Sequence, residues 1–421
     1  MEKLEFRAAE KAVLIGVELP DMTGEKVENS LEELARLTET AGAQVVDVQV
    51  QRRKRPHPAT FIGPGKAKEL KDICAETDAG MIICDREISP GQANNLQEIT
   101  EVKVIDRTQL ILDIFAGRAR TREGKLQVEL AQLEYMLPRL VGIGTQLSRL
   151  GGGIGTRGPG ETKLEIDRRR IRKRISDLKQ EIVAVRRHRD LLRRGRKEIP
   201  VPLVSLVGYT NAGKSTLLNI LTGAQVLVED KLFATLDPTT RRVKLTNNQE
   251  VLFTDTVGFI QNLPHHLVAA FRATLEEVVE ADLLLHVVDA SHPGYPEQIE
   301  AVNKVLDSLE VGGKPVVMVF NKMDVAGDAQ LLPDPGVPWV ALSARTGEGL
   351  DRLLAVVEDV LGKERKKVKF TIPYSKSSVL DIVHRKGMVL SQKHGEDGVI
   401  VEAEMDRVWV ERMKSKLKGR D

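Results

Sequence analysis

The stretch that most restricts how this chain can fold is Val201 to Val207, which runs straight into Gly208-Tyr209-Thr210-Asn211-Ala212-Gly213-Lys214-Ser215. A short, mostly apolar run reads as a buried strand. Lys214 through Ser215 and Thr216 to Thr222 has the composition of a helix start. Strand, glycine loop and helix in that order point to a parallel sheet covered by helices. Gly208 and Gly213 permit backbone angles that a side chain would block, so successive N–H groups can turn inward on an anion. The helix N-terminus adds the positive end of its dipole. The cradle suits nucleotide phosphates, with Lys214 reaching the β- and γ-phosphates and the Ser215 hydroxyl available to Mg2+.

Further along, Leu252-Phe253-Thr254 leads into Asp255-Thr256-Val257-Gly258. Asp255 places a carboxylate at a strand end near the metal, and the Gly258 N–H can sense a γ-phosphate. A second metal ligand is expected from the loop after the first helix. There Phe233-Ala234-Thr235-Leu236-Asp237-Pro238-Thr239-Thr240 offers three threonines, and composition does not choose among them. Asn321-Lys322-Met323-Asp324 follows the apolar strand Val316 to Phe320. The Asp324 carboxylate can accept from both the ring N–H and the exocyclic amine of guanine, whereas adenine lacks that pair of donors. A site built for those donors rejects a base without them. Asn321 braces this loop, and the stem of Lys322 covers the base. Ser343-Ala344-Arg345 follows the strand Trp339 to Leu342 and offers backbone N–H groups to guanine O6. Lys214 and Gly258 are expected to act at the phosphate that is transferred, together with whichever threonine of that loop completes the metal site.

Position 259 departs from the usual pattern, since Phe259 stands where many GTP hydrolases carry a water-orienting glutamine. An aromatic ring cannot hold a water by hydrogen bonding, so slow intrinsic turnover with outside activation is expected. Asn211 is a candidate for holding K+ beside the phosphates. An equally good reading is that it satisfies loop amides.

The 421 residues suggest two to four domains, and a 41% hydrophobic content is ample for cores. Cys74 and Cys84 show no metal or redox spacing and are expected to pack as small apolar residues in a reducing compartment. No run approaches the roughly 20 apolar residues of a membrane span, and the N-terminal residues lack a signal-peptide pattern. A soluble, cytoplasmic monomer is expected. Net charge is only +2, yet residues 115–198 carry +12 and the remainder −10. Such segregation suits an element facing nucleic acid; a long solvated helix is the bland alternative.

The fold class expected is α/β, in four parts. Residues 1–112 alternate strands (12–17, 44–50, 81–84, 102–105) with helices and read as a parallel-sheet α/β domain. Within it, Gly63-Pro64-Gly65-Lys66 reads as a helix start, lacking the span and hydroxyl of a phosphate loop. Residues 113–198 read as a basic helical hairpin arm. Its Leu147 to Gly160 tract is too rich in glycine for helix or strand, and two arginines suit it to phosphate contact. Leu164, Ile171, Ile175, Leu178, Ile182, Val185 and Leu192 form a heptad seam, expected to pack against the helix at 126–137. Arg168, Arg169, Arg170, Arg172 and Arg174 surround that seam. Residues 199–363 form the P-loop GTPase domain. Residues 364–421 read as a small α+β appendage, with Lys363 to Lys367 a linker, strands at 369–373 and 399–404, and a helix at 378–383.

Taken together, Arg55 to Lys66, Asp106-Arg107-Thr108-Gln109, the Leu147 to Arg170 tract and the 208–215 loop resemble the HflX family of ribosome-associated GTPases. The resemblance covers most of the chain. It implies binding to the large ribosomal subunit and its rRNA, splitting or rescue of stalled ribosomes under stress, and hydrolysis stimulated by the ribosome. It selects Thr235 as the switch-one threonine and, with Ser215, as a magnesium ligand. A hydrophobic residue in place of the glutamine is a family trait, so Phe259 fits. Arg345 replaces the lysine of the common S-A-K. Family members also hydrolyse ATP, which the Asn321–Asp324 motif does not explain. Two alternatives stand beside this reading: a GTPase acting on another structured RNA such as tRNA, and an adaptor that uses GTP to choose protein partners.

Overall fold

The computed structural model describes residues 10–140, 159–196, 201–223, 231–247, 249–261, 275–327, 336–362, 365–395 and 397–417. The chain divides into two compact units. The first is Met1–Asp190 with Glu229–Asp237 and Gln261–Arg272; the second is Leu191–Val228, Pro238–Ile260 and Ala273–Asp421.

The first unit opens with β1 (Lys11–Glu18), α1 (Gly24–Thr40), β2 (Gln44–Arg52), α2 (Pro64–Thr77), β3 (Met81–Cys84), α3 (Pro90–Thr100) and β4 (Lys103–Asp106). The sheet is parallel throughout, in the order β2-β1-β3-β4. Strands β1 and β3 are buried along nearly their whole length, as continuous apolar runs require when helices cover both faces. Gly63 caps α2 and Pro64 occupies its first turn, where a missing N–H costs nothing. This is the helix start read from the sequence. Both cysteines are free and buried, and burial raises each thiol's pKa.

Next come α4 (Arg107–Arg118), α5 (Arg122–Arg139) and α6 (Pro159–Arg196). Leu126 and Leu130 of α5 pack with Leu178 and Ile182 of α6, flanked by Ile175 and Val185. Arg122 approaches Glu181 and Arg174 binds Glu129, so the two helices run antiparallel. Those ion pairs are exposed and contribute little; the apolar seam holds the pair together. The ends of the heptad reading, the side chains of Leu164 and Leu192, lie outside the described residues. So does the glycine tract as far as residue 158, while Pro159 and Gly160 already belong to α6. At the carboxyl edge of the sheet the Arg107 guanidinium is buried against Asp85 (3.0 Å) and Glu33 (2.9 Å). Asp106 accepts from Tyr135 (2.7 Å) and Arg139 (2.8 Å). This polar network ties α1, α4 and α5 to the strand ends.

The second unit contains β5 (Leu203–Gly208), α7 (Lys214–Thr222), β6 (Thr239–Lys244), β7 (Glu250–Asp255), α8 (Glu276–Glu280), β8 (Leu283–Asp289), α9 (Tyr295–Ser308), β9 (Val316–Asn321), α10 (Met323–Ala326), β10 (Trp339–Ala341) and α11 (Leu350–Gly362). Its sheet runs β10-β9-β8-β5-β7-β6 and is parallel except for β6. The chain leaves β5 toward β7 on one side and returns to β8 on the other. The carboxyl end of β5 is therefore the topological switch point, where open α/β sheets bind ligands. Strand β6 escaped the sequence reading because only Val243 of its six residues is buried; a polar edge strand shows no apolar alternation.

The unit ends with β11 (Arg365–Ile372), α12 (Ser377–Lys386), β12 (Gly387–His394), β13 (Val399–Asp406) and α13 (Arg407–Leu417). These strands form an antiparallel sheet in the order β11-β13-β12. Phe370, Ile372, Val401 and Met405 pack against Val383 and Met413 of the helices. One reading is corrected here: the Lys363 to Lys367 run is not a linker throughout, because Arg365 onward pairs with β13. Strand pairing satisfies the backbone there, and the Lys367 side chain stays exposed. Strand β12 and helix α13 were not anticipated; β12 carries a bulge between Val389 and Ser391 that breaks its alternation. Among the described residues no helix is long and apolar enough to cross a membrane.

Candidate nucleotide site

Four motif segments meet at the carboxyl edge of the second unit's sheet. The loop after β5 ends at Gly213, whose φ is 94° and where a Cβ would stand 2.2 Å from Asn321 Nδ2. Only glycine fits there, because Asn321 itself is the brace. Its Nδ2 donates to the Ala212 carbonyl (2.8 Å), and its Oδ1 accepts from the Ala344 N–H (2.8 Å). One buried amide, 2% exposed, therefore joins the phosphate loop, the Asn321–Asp324 turn and the Ser343–Arg345 turn.

Lys214 is buried, and its Nζ donates to the carbonyls of Gly208 (3.1 Å) and Tyr209 (2.7 Å). Burial pulls its pKa down to about 8, with Asp255 pulling weakly the other way. Ser215 Oγ donates to Asp255 Oδ2 at 2.6 Å, and Thr216 follows, half-buried, in α7. A hydroxyl and a carboxylate at such separation are hard oxygen donors of the kind Mg2+ takes, alongside phosphates and water. Among the described residues no group of three or more His, Cys, Asp or Glu could hold a metal, and a site completed by substrate oxygens needs none.

The segment after β7 is fastened to the loop by its backbone. Thr210 N–H donates to the Phe259 carbonyl (2.7 Å), and Phe259 N–H donates to Gly208 (3.1 Å). Thr256 Oγ1 donates to the Leu206 carbonyl (2.6 Å). A Cβ at Gly258 would lie 2.7 Å from Thr210 Cα, so glycine allows this close pairing. Val257, Phe259 and Ile260 are buried. Phe259 is thus a packing residue here.

At the Asn321–Asp324 turn, Lys322 takes a left-handed φ of 63° and its Nζ pairs with Asp289 at 2.6 Å. Asp324 Oδ1 accepts from Ser343 Oγ (2.7 Å), which fixes the direction of the carboxylate. Met323 lies partly buried in α10, and Arg345 is exposed. Asp289 was missed in the sequence. Its signal was available, since it ends an apolar strand as Asp255 and Asn321 do. His286, three residues earlier in β8, is buried and held neutral, with its pKa lowered to about 4 by burial and then by Lys214.

The remaining sequence candidates, Phe233, Ala234, Thr235, Leu236 and Asp237, belong to the first unit. There Phe233 meets Phe115 edge-to-face at 4.7 Å, and the Asp237 carboxylate accepts from the N–H groups of Arg120 and Thr121, both at 2.9 Å.

Four family models match in succession. They are described as GTP-binding GTPase N-terminal (residues 28–116), GTP-binding GTPase Middle Region (118–196), 50S ribosome-binding GTPase (203–322) and HflX C-terminal domain (337–418). The GTPase HflX of Lacrimispora saccharolytica is 50% identical over 395 residues, covering 94% of this chain and 93% of that one. The GTPase HflX of Caldanaerobacter subterraneus is 48% identical over 415 residues, covering 99% and 95%. Among solved structures, a GTP-binding protein of Sulfolobus solfataricus in complex with GDP aligns at 22% identity and TM-score 0.44 over 84% of this chain and 99% of that one, an overlap too loose to place any residue. With all four models in order and half-identical relatives matched end to end, the chain belongs to the HflX family of GTPases.

Proposed function

We propose that this protein is a Mg2+-dependent GTP hydrolase that docks on the large ribosomal subunit and splits or rescues stalled ribosomes, with its nucleotide state governing docking. The observation that carries the nucleotide half is the Asn321 amide, which locks the phosphate cradle to the base-reading turn. The ribosomal half is supported by family membership, by the 50S ribosome-binding description of the model over 203–322, and by the +12 charge of residues 115–198.

In this reading the N–H groups of residues 208–215 hold the phosphates, and Lys214 turns from the loop carbonyls to the β- and γ-oxygens. An anionic partner restores the charge that burial disfavours, so binding raises the Lys214 pKa. Ser215, Asp255 and Thr235 would hold Mg2+, which neutralises charge developing on the phosphates when bound. Asp324 selects guanine, and the backbone of Ser343 and Ala344 faces its O6. The Gly258 N–H reads the γ-phosphate, whose presence orders the Thr235 loop and whose loss relaxes it. The buried ring of Phe259 has no atom with which to orient water, so turnover is slow until a partner supplies that group. Asn211, at φ 61° in the loop, would hold K+ in this reading; turnover should be faster in potassium than in sodium, and equal rates would remove that role.

The test is sedimentation of the full chain with large subunits in GTP analogue, GDP or no nucleotide, across a salt series. Binding should require the triphosphate form and weaken steeply with salt, as phosphate contacts do. Binding indifferent to nucleotide would refute the switch. A flat salt response would remove the basic arm from the interface, and equally tight capture of isolated tRNA would replace the ribosome with another RNA.

A further inference from the structure

Asp237 sits in a receptor built for a carboxylate at the junction of α4 and α5. Its Oδ2 accepts from the N–H groups of Arg120 and Thr121, and its Oδ1 accepts from the Thr121 hydroxyl. The same hydroxyl accepts from Gly124 N–H as the N-cap of α5. Gly124 leaves room for the visitor, since a Cβ there would stand 2.6 Å from Asp237 Oδ1. Four residues upstream of Asp237, Phe233 is 1% exposed, packs edge-to-face on Phe115 of α4, and takes a left-handed φ of 55°. A non-glycine residue persists in that region only where its surroundings over-determine it. Leu232 and Leu236 are buried as well.

Thr235 lies midway between these two anchors, two residues from each. Two residues of chain span at most about 7 Å, so fixing Phe233 and Asp237 leaves the threonine little room to wander. We propose that Asp237 is a positioning residue: the Arg120–Thr121–Gly124 receptor holds the switch-one segment so that Thr235 is ordered before it meets the metal and γ-phosphate. Asp237 is the last residue of the segment, and β6 begins two residues later at Thr239. Ordering a ligating segment in advance raises affinity for the ligand that uses it and leaves other ligands unaffected. This inference rests on the assignment of Thr235 as a magnesium ligand.

The test measures affinities of the full chain for a GTP analogue with Mg2+ and for GDP, in the parent, Asp237→Ala, Gly124→Ala, the double variant and Thr235→Ala. Gly124→Ala probes the receptor from its other wall. Alanine is the better helix former, but its Cβ would also stand 3.1 Å from the Thr121 hydroxyl that caps α5, so the GDP affinity serves as the control for a weakened helix. Asp237→Ala and Gly124→Ala should each lower GTP-analogue affinity at least five-fold while GDP affinity stays within two-fold. The double variant should be no worse than the poorer single. Equal losses for both nucleotides, unchanged GTP-analogue affinity, additive effects, or tighter triphosphate binding would each overturn the proposal. Thr235→Ala separates the two levels. If it too leaves discrimination intact, the assignment of Thr235 fails; if it alone abolishes discrimination, only the receptor fails.

Discussion

Replacing Asn321 with alanine tests the brace on which the nucleotide site depends. The change deletes one donor and one acceptor, leaving the Ala212 carbonyl and the Ala344 N–H buried without their present partner. A buried polar group stripped of its partner costs about 1–3 kcal/mol, so the two together should cost about 2–6 kcal/mol. For a module of this size each kcal/mol moves Tm by about 2–4 °C, which gives a drop of roughly 4–24 °C. Trp339 stands in β10 with its ring 6.1 Å from Phe320, so its emission reports on this sheet. In a Trp409→Phe background it becomes the sole tryptophan, the chain having two. Thermal melts followed by that emission should show the drop, and affinities for GDP and GTP should fall together because both use phosphate loop and base turn. A shift under about 2 °C would mean that the two groups find other partners at no cost, and the brace argument would be wrong.

Lys214 makes stability depend on pH. Its folded pKa, about 8, lies below the ordinary value of 10.5, so the unfolded chain holds more protons between those limits and stability rises with pH there. Burial of the charged form is a full cost below pH 8; in urea titrations the stability gap between parent and Lys214→Met should change between pH 8 and 10 and stay flat from 6 to 7. Asp324→Asn turns one acceptor into a donor at the guanine edge, so competition assays should show preference moving from GTP toward XTP, whose 2-oxo group accepts; unchanged preference would show that Asp324 does not read the base. Chelating Mg2+ should lower GTP affinity far more than GDP affinity, and Ser215→Ala should reproduce that loss with Mg2+ present. A Ser215→Ala protein that retains its full magnesium response would take the hydroxyl out of the metal site.

The strands that carry the site were legible because each is a buried, mostly apolar run, three of them ending in a polar residue (Asp255, Asp289 and Asn321) and the fourth in Gly208. A strand covered on both faces is mostly apolar, and its end is the first place where a functional group escapes the core. The same logic would have found Asp289. Strands β6 and β12 were illegible for the opposite reason, being edge strands with largely exposed side chains. The packing face of α6 was readable from its heptads over Ile175 to Val185, since that spacing puts those residues on one side of a helix; the antiparallel direction came from its pairing with α5.

Motif positions were therefore legible along the chain, because glycine turns and strand ends depend on local backbone shape and residue type. What tertiary structure alone decided was which partners those residues keep. Asn321 might have braced any neighbour; packing aimed it at Ala212 and Ala344. Asp237, which the sequence placed among nucleotide ligands, turns its carboxylate to amides more than a hundred residues earlier. No spacing rule reports such a contact, because it is made by chain closure over long separation, and only the assembled fold brings the two stretches within hydrogen-bond reach.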